Sequence, residues 1–256
     1  MCCFTKPVGF VGGTCIFARP SSDGSQYLAY SMSFKAEEDL AMILPIPVKQ
    51  PAGEKDLTFI DLKGYPDFFK DMDQGFPIPP PPSATGTLRS HSLAAAAARL
   101  EVQQVGDFEA SFVPTVSDFS RLDERFRLPE GTWKDLPDYK TYGFAVFKLK
   151  SNANPTRVHP MAFSFPRRDP HVLFFPTVHI HDGAVHPTAH FDHALYAQPT
   201  DEAHPDVISW RESSGHPAGF MKVKETKGIV LADQHCYKKE MRGNFSNEDT
   251  LLKVFP

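Results

Sequence analysis

Proline places the first constraint on this chain. It occupies 24 of 256 positions, nearly twice the ~5% of an average protein. Each proline holds φ near −65° and removes a backbone donor, which disfavours long helices and long central strands alike. Phenylalanine is almost as abundant, at 22 residues against two tryptophans. Even with 16 glycines added, the chain stays well short of the ~25–30% Pro and Gly of low-complexity disorder. The expected class is α+β and sheet-rich, mostly antiparallel sheet with a few short helices.

Alternation supports this reading. In the stretch 27–34, Leu28, Tyr30, Met32 and Phe34 fall on one face of a strand. The turn Pro20-Ser21-Ser22-Asp23-Gly24-Ser25 precedes it, after a strand through Ile16. Ala41-Met42-Ile43-Leu44 reads as a strand that Pro45 and Pro47 end or confine to an edge. Pro66 opens a short helix through Met72, and Val116 to Arg127 has helical spacing of Phe119, Leu122 and Phe126. The clearest strand is Tyr142 to Lys150, and Phe220–Val223 with Gly228–Asp233 reads as a late hairpin. The run Pro79-Pro80-Pro81-Pro82 must be extended, and five alanines at 94–98 follow it. Residues 1–75 are therefore read as an N-terminal hairpin unit, 76–98 as a Pro/Ala-rich excursion, and 99–256 as the main sheet domain.

Several segments also carry a resemblance: Cys2-Cys3, Leu44-Pro45-Ile46-Pro47, Val105-Gly106-Asp107-Phe108-Glu109, Leu136-Pro137-Asp138-Tyr139, and Tyr142-Gly143-Phe144 through Lys148-Leu149. In order and type, over roughly residues 2–165, they resemble a bacterial domain-of-unknown-function family. The resemblance implies organisation and a bacterial source, and brings no activity with it.

Charge and motifs narrow the function. A net charge of −4 argues against a general nucleic-acid binder, which needs a basic face. No run approaches 18 apolar residues, so no helix is expected to span a membrane. The first residues lack a signal-peptide pattern, so the expected address is cytoplasmic. The sequence contains no Walker loop, G-x-G-x-x-G, G-x-S-x-G or H-E-x-x-H.

The four cysteines are Cys2, Cys3, Cys15 and Cys236, with no C-x-x-C pair. Cys15 reads as a buried strand residue. Loss of Met1 would leave Cys2 with a thiol and an amine that acts as its base. Cys2 and Cys3 are also candidate thiolate metal ligands.

The strongest chemical signal is the histidine cluster. Seven of 11 histidines lie between His159 and His193. On a strand, His179 and His181 point the same way, their backbones roughly 6–7 Å apart, which suits two imidazoles converging on one ion. The Asp182-Gly183 turn returns the chain through His186. Pro187 then suggests a helix bearing His190 and His193, with Asp182 and Asp192 as orienting carboxylates. The expected metal set is His179, His181, His186 and His193, with Cys2 or Cys3 completing it, and the expected cofactor is one Cu or Zn ion. The leading expectation is a metal-binding protein, a mononuclear metalloenzyme acting on a small or thiol-containing substrate. The alternatives are a Cys2-nucleophile hydrolase or transferase, and a non-catalytic metal sensor, store or interaction module.

Overall fold

The structure, a computed structural model, describes residues 2–77, 103–122, 127, 137–180, 184–200 and 204–254. The stretch 78–102, which holds most of the Pro/Ala-rich excursion, lies outside them, as do His181 and Asp182. The first half runs β1 (Cys2–Phe4), β2 (Phe10–Pro20), β3 (Ser25–Ala36), β4 (Leu40–Ile46), β5 (Thr58–Asp61) and α1 (Phe68–Gln74). Next come β6 (Gln103–Val105), β7 (Phe108–Val113), β8 (Gly143–Leu149), β9 (Asn152–Arg157) and β10 (Met161–Pro166). The chain continues through β11 (Val172–Phe175), β12 (His179–Ile180), β13 (Thr188–Ala197), α2 (Pro205–Ile208), β14 (Arg211–Glu212), β15 (Tyr237–Ser246) and β16 (Thr250–Lys253).

These strands build two large sheets. The first has the order β12-β1-β4-β8-β7-β6, and the second β14-β15-β13-β2-β3-β10-β5, with β9 also on β3. β11 and β16 form a separate pair. Pairing is antiparallel except for β1 with β12 and β13 with β2. The fold is therefore sheet-rich α+β, as the proline and alternation patterns predict. Strands from both ends of the sequence interleave: β4 pairs with β8 and β2 pairs with β13.

The alternation in β3 has its expected consequence. Leu28, Tyr30, Met32 and Phe34 all enter the core between the two sheets, with Met161, Phe163 and Phe165 from β10 and Leu40, Met42 and Leu44 from β4. The opposite faces are covered too. Ala41 and Ile43 of β4 pack with Phe119, Leu122 and Tyr139, while Phe17 and Ala162 pack with Phe68, Phe69 and Met72 of α1. This double cover is why the run Leu40–Ile46 is buried throughout. Pro45 does not end that strand or put it at an edge. It pairs with Phe144 on one side; on the other, among the described residues, β1 pairs no further along β4 than Ile43, so no described ladder bond calls for the missing N–H.

Three further expectations change. Val116–Arg121 is a 3-10 turn rather than a longer helix, with 123–126 lying outside the described residues. The late hairpin is replaced by turns and the 3-10 segment Val223–Thr226. Residues after Pro187 form β13, not a helix, because β15 pairs with them along the whole strand and β2 joins from His193 onward.

One contact across the sheets is pH-sensitive. The Asp107 N–H, from the β6–β7 turn, donates to Nε2 of His159 at 2.9 Å. The ring lies against Phe108, 4.3 Å between centroids. Burial, the largest cause, holds the His159 pKa below its usual value, only partly opposed by the Pro160 carbonyl, Asp107 and Asp61. A neutral ring is needed for Nε2 to accept. Protonation thus favours the unfolded chain, and the stability this contact supplies is present above pH ~6.5 and is lost as pH falls below it. Urea titrations from pH 8 to 5 should show a decline that is shallower in His159→Phe. Equal slopes would refute this.

Candidate functional site: a histidine pair in a split between two strands

β12 brings His179 to the edge of the first sheet, and β13 carries His193 in the middle of the second. Their Nε2 atoms are 3.1 Å apart. That contact is an N–H···N bond, so one ring donates and the other accepts. Phe191 supports both: it stacks on His179 at 4.6 Å between centroids and meets His193 edge-on at 5.1 Å. His193 is 2% exposed. Asn247 clamps the backbone around the pair. The His179 N–H donates to its Oδ1, and its Nδ2 donates to the carbonyls of His179 and His186.

β1 lies between β12 and β4, and its parallel register sets Cys2 opposite His179 and Cys3 opposite Ile180. Register partners on neighbouring strands lie ~5 Å apart at the backbone. Cys3 is fully buried among Ala41, Ile43 and Ile180, so its thiol is a packing group.

Beside the pair lies a cleft of about 560 Å3 whose walls include Phe10, Val11, Thr14, His186, His190 and Asn247. Its origin is a bulge in β2. The register with β3 shifts between Gly12 and Cys15, and Gly13 takes φ +60, a conformation suited to glycine. The Gly13 N–H donates to Oδ2 of Asp192 at 3.0 Å, and Arg242 donates to the other carboxylate oxygen at 2.9 Å. Asp192 thus holds the bulge instead of orienting an imidazole, because it points to the opposite side of β13 from His193.

Two members of the expected metal set, His181 and the Cys2 side chain, lie outside what the structure describes. Among the described residues no three His, Cys, Asp or Glu side chains are grouped so as to hold a metal ion. The helical spacing expected of His190 and His193 becomes strand spacing, which sends them to opposite faces; His190 is exposed while His193 is buried. His186 is also exposed, and His181 lies outside the described residues. Of the six proposed ligands, only His179 and His193 are seen to meet. The side chain of Cys2 is not among those described.

The other thiols are quiet. Burial pushes Cys15 up despite Arg157, which donates to its sulfur at 3.1 Å. Burial alone pushes Cys236 up. The neighbouring His235 turns to Ser213 and Glu212. Sequence reasoning missed Phe191 and Asn247; nothing local marks either as a support for the histidines.

Fold and site together define a sheet-rich α+β protein with a histidine pair at the floor of an inter-strand cleft. No protein-family model matches the sequence, and no curated protein matches it. Solved structures of baculovirus P35 are similar in fold. The P35 crystal structure has a TM-score of 0.47 at 11% identity, covering 97% of this chain and 98% of that one. The caspase-8/P35 complex gives 0.44 at 11% identity, covering 95% and 96%. A mutated P35 after caspase cleavage gives 0.47 at 12% identity, covering 94% and 99%. The expectation of a bacterial, copper- or zinc-binding protein finds no support: the similar structures are of a baculovirus protein, and no metal-holding group occurs among the described residues. No helix among the described residues is long and apolar enough to cross a membrane.

Proposed function

We propose that this chain is a thiol acyl-transfer protein in which Cys2 is the nucleophile and the His179–His193 pair handles the proton. The observation that supports it is the register of β1 on β12, which sets Cys2 beside His179, whose Nε2 is already engaged by His193. When Nε2–H of His179 donates to His193, Nδ1 is the nitrogen that accepts a proton from a thiol. The imidazolium so formed then donates to a neutral imidazole, a charge-assisted and stronger bond.

The step balances as an exchange. The Cys2 sulfur bonds to the carbonyl carbon of a thioester, the bond from that carbon to the leaving sulfur breaks, and the proton taken by His179 passes to the departing thiolate. Water attacking the new thioester would complete a hydrolysis. The thiolate is the reactive form, so the base is what makes attack productive near pH 7.

The test is intact-mass analysis after incubation with acetyl-N-acetylcysteamine. A single acetyl adduct at Cys2 is expected, absent in Cys2→Ser and formed about 100-fold more slowly in His179→Ala. An adduct on another cysteine, or none on folded protein, would overturn the reading.

A further inference from the structure

β13 and β2 pair only from His193 opposite Thr14 to Ala197 opposite Ala18. Before that point the two strands diverge. Phe10, Val11 and Gly12 continue to pair with β3 on their far side, and Thr188 to Asp192 continue to pair with β15 on theirs. Among the described residues, no strand pairs with the edges that these two segments turn toward each other. The cleft lies in this fork. The bulge at Gly13 opens it, and the Asp192 carboxylate, bonded to the Gly13 N–H, keeps it open. Such a fork presents main-chain donors and acceptors on both sides, and an extended backbone is the partner that matches both.

The walls indicate which peptide fits. Phe10 is 44% exposed, and its ring lies over Gly12, where an added Cβ would sit 2.8 Å from it. Val11 and Ala189 add apolar surface, Thr14 and Thr188 add hydroxyls, and the histidines add imidazoles. Among the described residues Asp192 is the only carboxylate lining the cleft, and Arg242 already neutralises it.

We infer that the fork binds an extended, uncharged peptide segment that completes the second sheet between β2 and β13. This deepens the acyl-transfer reading and rests on it in one respect: the donor becomes a peptidyl thioester, its backbone held by the fork with the carbonyl near the histidine pair. The binding itself does not require the chemistry.

Hydrogen exchange read by mass spectrometry tests this on Cys2→Ser full-length protein, where acylation is silent. The probe is a positional-scanning mixture of acetylated, amidated hexapeptides of uncharged residues. Those amides in 10–12 and 188–192 that face the fork, not the ladders with β3 and β15, should exchange freely without peptide and slow at least tenfold with it. The best hexapeptide should lose at least tenfold in affinity when alternate amides are N-methylated, and an Asp or Lys at its centre should weaken it. Protection elsewhere, no protection with any mixture, or equal affinity of the N-methylated form would overturn the inference. Peptide protection without acylation of wild-type Cys2 would remove the acyl-transfer reading and leave the peptide site. Acylation by small thioesters without peptide protection would do the reverse.

Discussion

Phe147→Ala should lower the unfolding free energy by about 3–5 kcal/mol. The ring is fully buried on β8, where the two sheets face each other. It meets Phe59 of β5 at 5.5 Å and Phe163 of β10 at 6.1 Å, both in the second sheet, and Phe108 of its own sheet at 6.0 Å. Truncation removes the transfer energy of an aromatic side chain and leaves a cavity. The surrounding rings belong to strands locked by their own ladders, so the hole closes little. Against a typical total of 5–15 kcal/mol, the loss is a large share. Urea unfolding with the slope held constant would measure it. A loss under ~1 kcal/mol would show that the sheets are not joined through this ring. Phe147→Leu keeps most of the volume and should lose clearly less.

Gln26→Leu should cost about 2–4 kcal/mol, although leucine is close in size and more apolar. Gln26 is fully buried on β3. Its Nε2 donates to the Phe174 carbonyl at 2.7 Å, and its Oε1 accepts from the Phe174 N–H at 3.0 Å. The side-chain amide thus takes the place of a strand for β11 and ties the β11–β16 pair to the second sheet. Leucine would leave a buried donor and a buried acceptor unsatisfied, each worth about 1–3 kcal/mol. The Phe174 amide should also exchange faster, which separates this cause from lost packing. Unchanged stability would mean that water or a shifted strand replaces the amide.

These two residues also separate what was legible from what was not. The Leu28–Phe34 alternation showed which face of β3 is buried, since a period of two leaves only two choices. It could not reveal that Gln26, on the same strand, serves a segment nearly 150 residues away. Pro45 misled for a related reason. A proline is a defect only where a neighbour needs its N–H, and the place where β1 stops pairing is not written near Pro45. Pro187 suggested a helix through His193, but the ladder with β15 outweighs that local preference. This one change from helix to strand puts His190 and His193 on opposite faces, where a helix would have set them three apart on adjacent ones.

By itself, the sequence determined the sheet-rich class, the buried stripes and the richness in histidine of the stretch after Phe175. These depend on local backbone limits and on short-period hydrophobicity, which neighbouring residues settle among themselves. Only the tertiary structure decided that His179 meets His193, that Asn247 and Phe191 hold them, and that β2 parts from β13. Each of those depends on which distant strands share a ladder, and the free energy that selects the pairing comes from the whole core and not from any one segment.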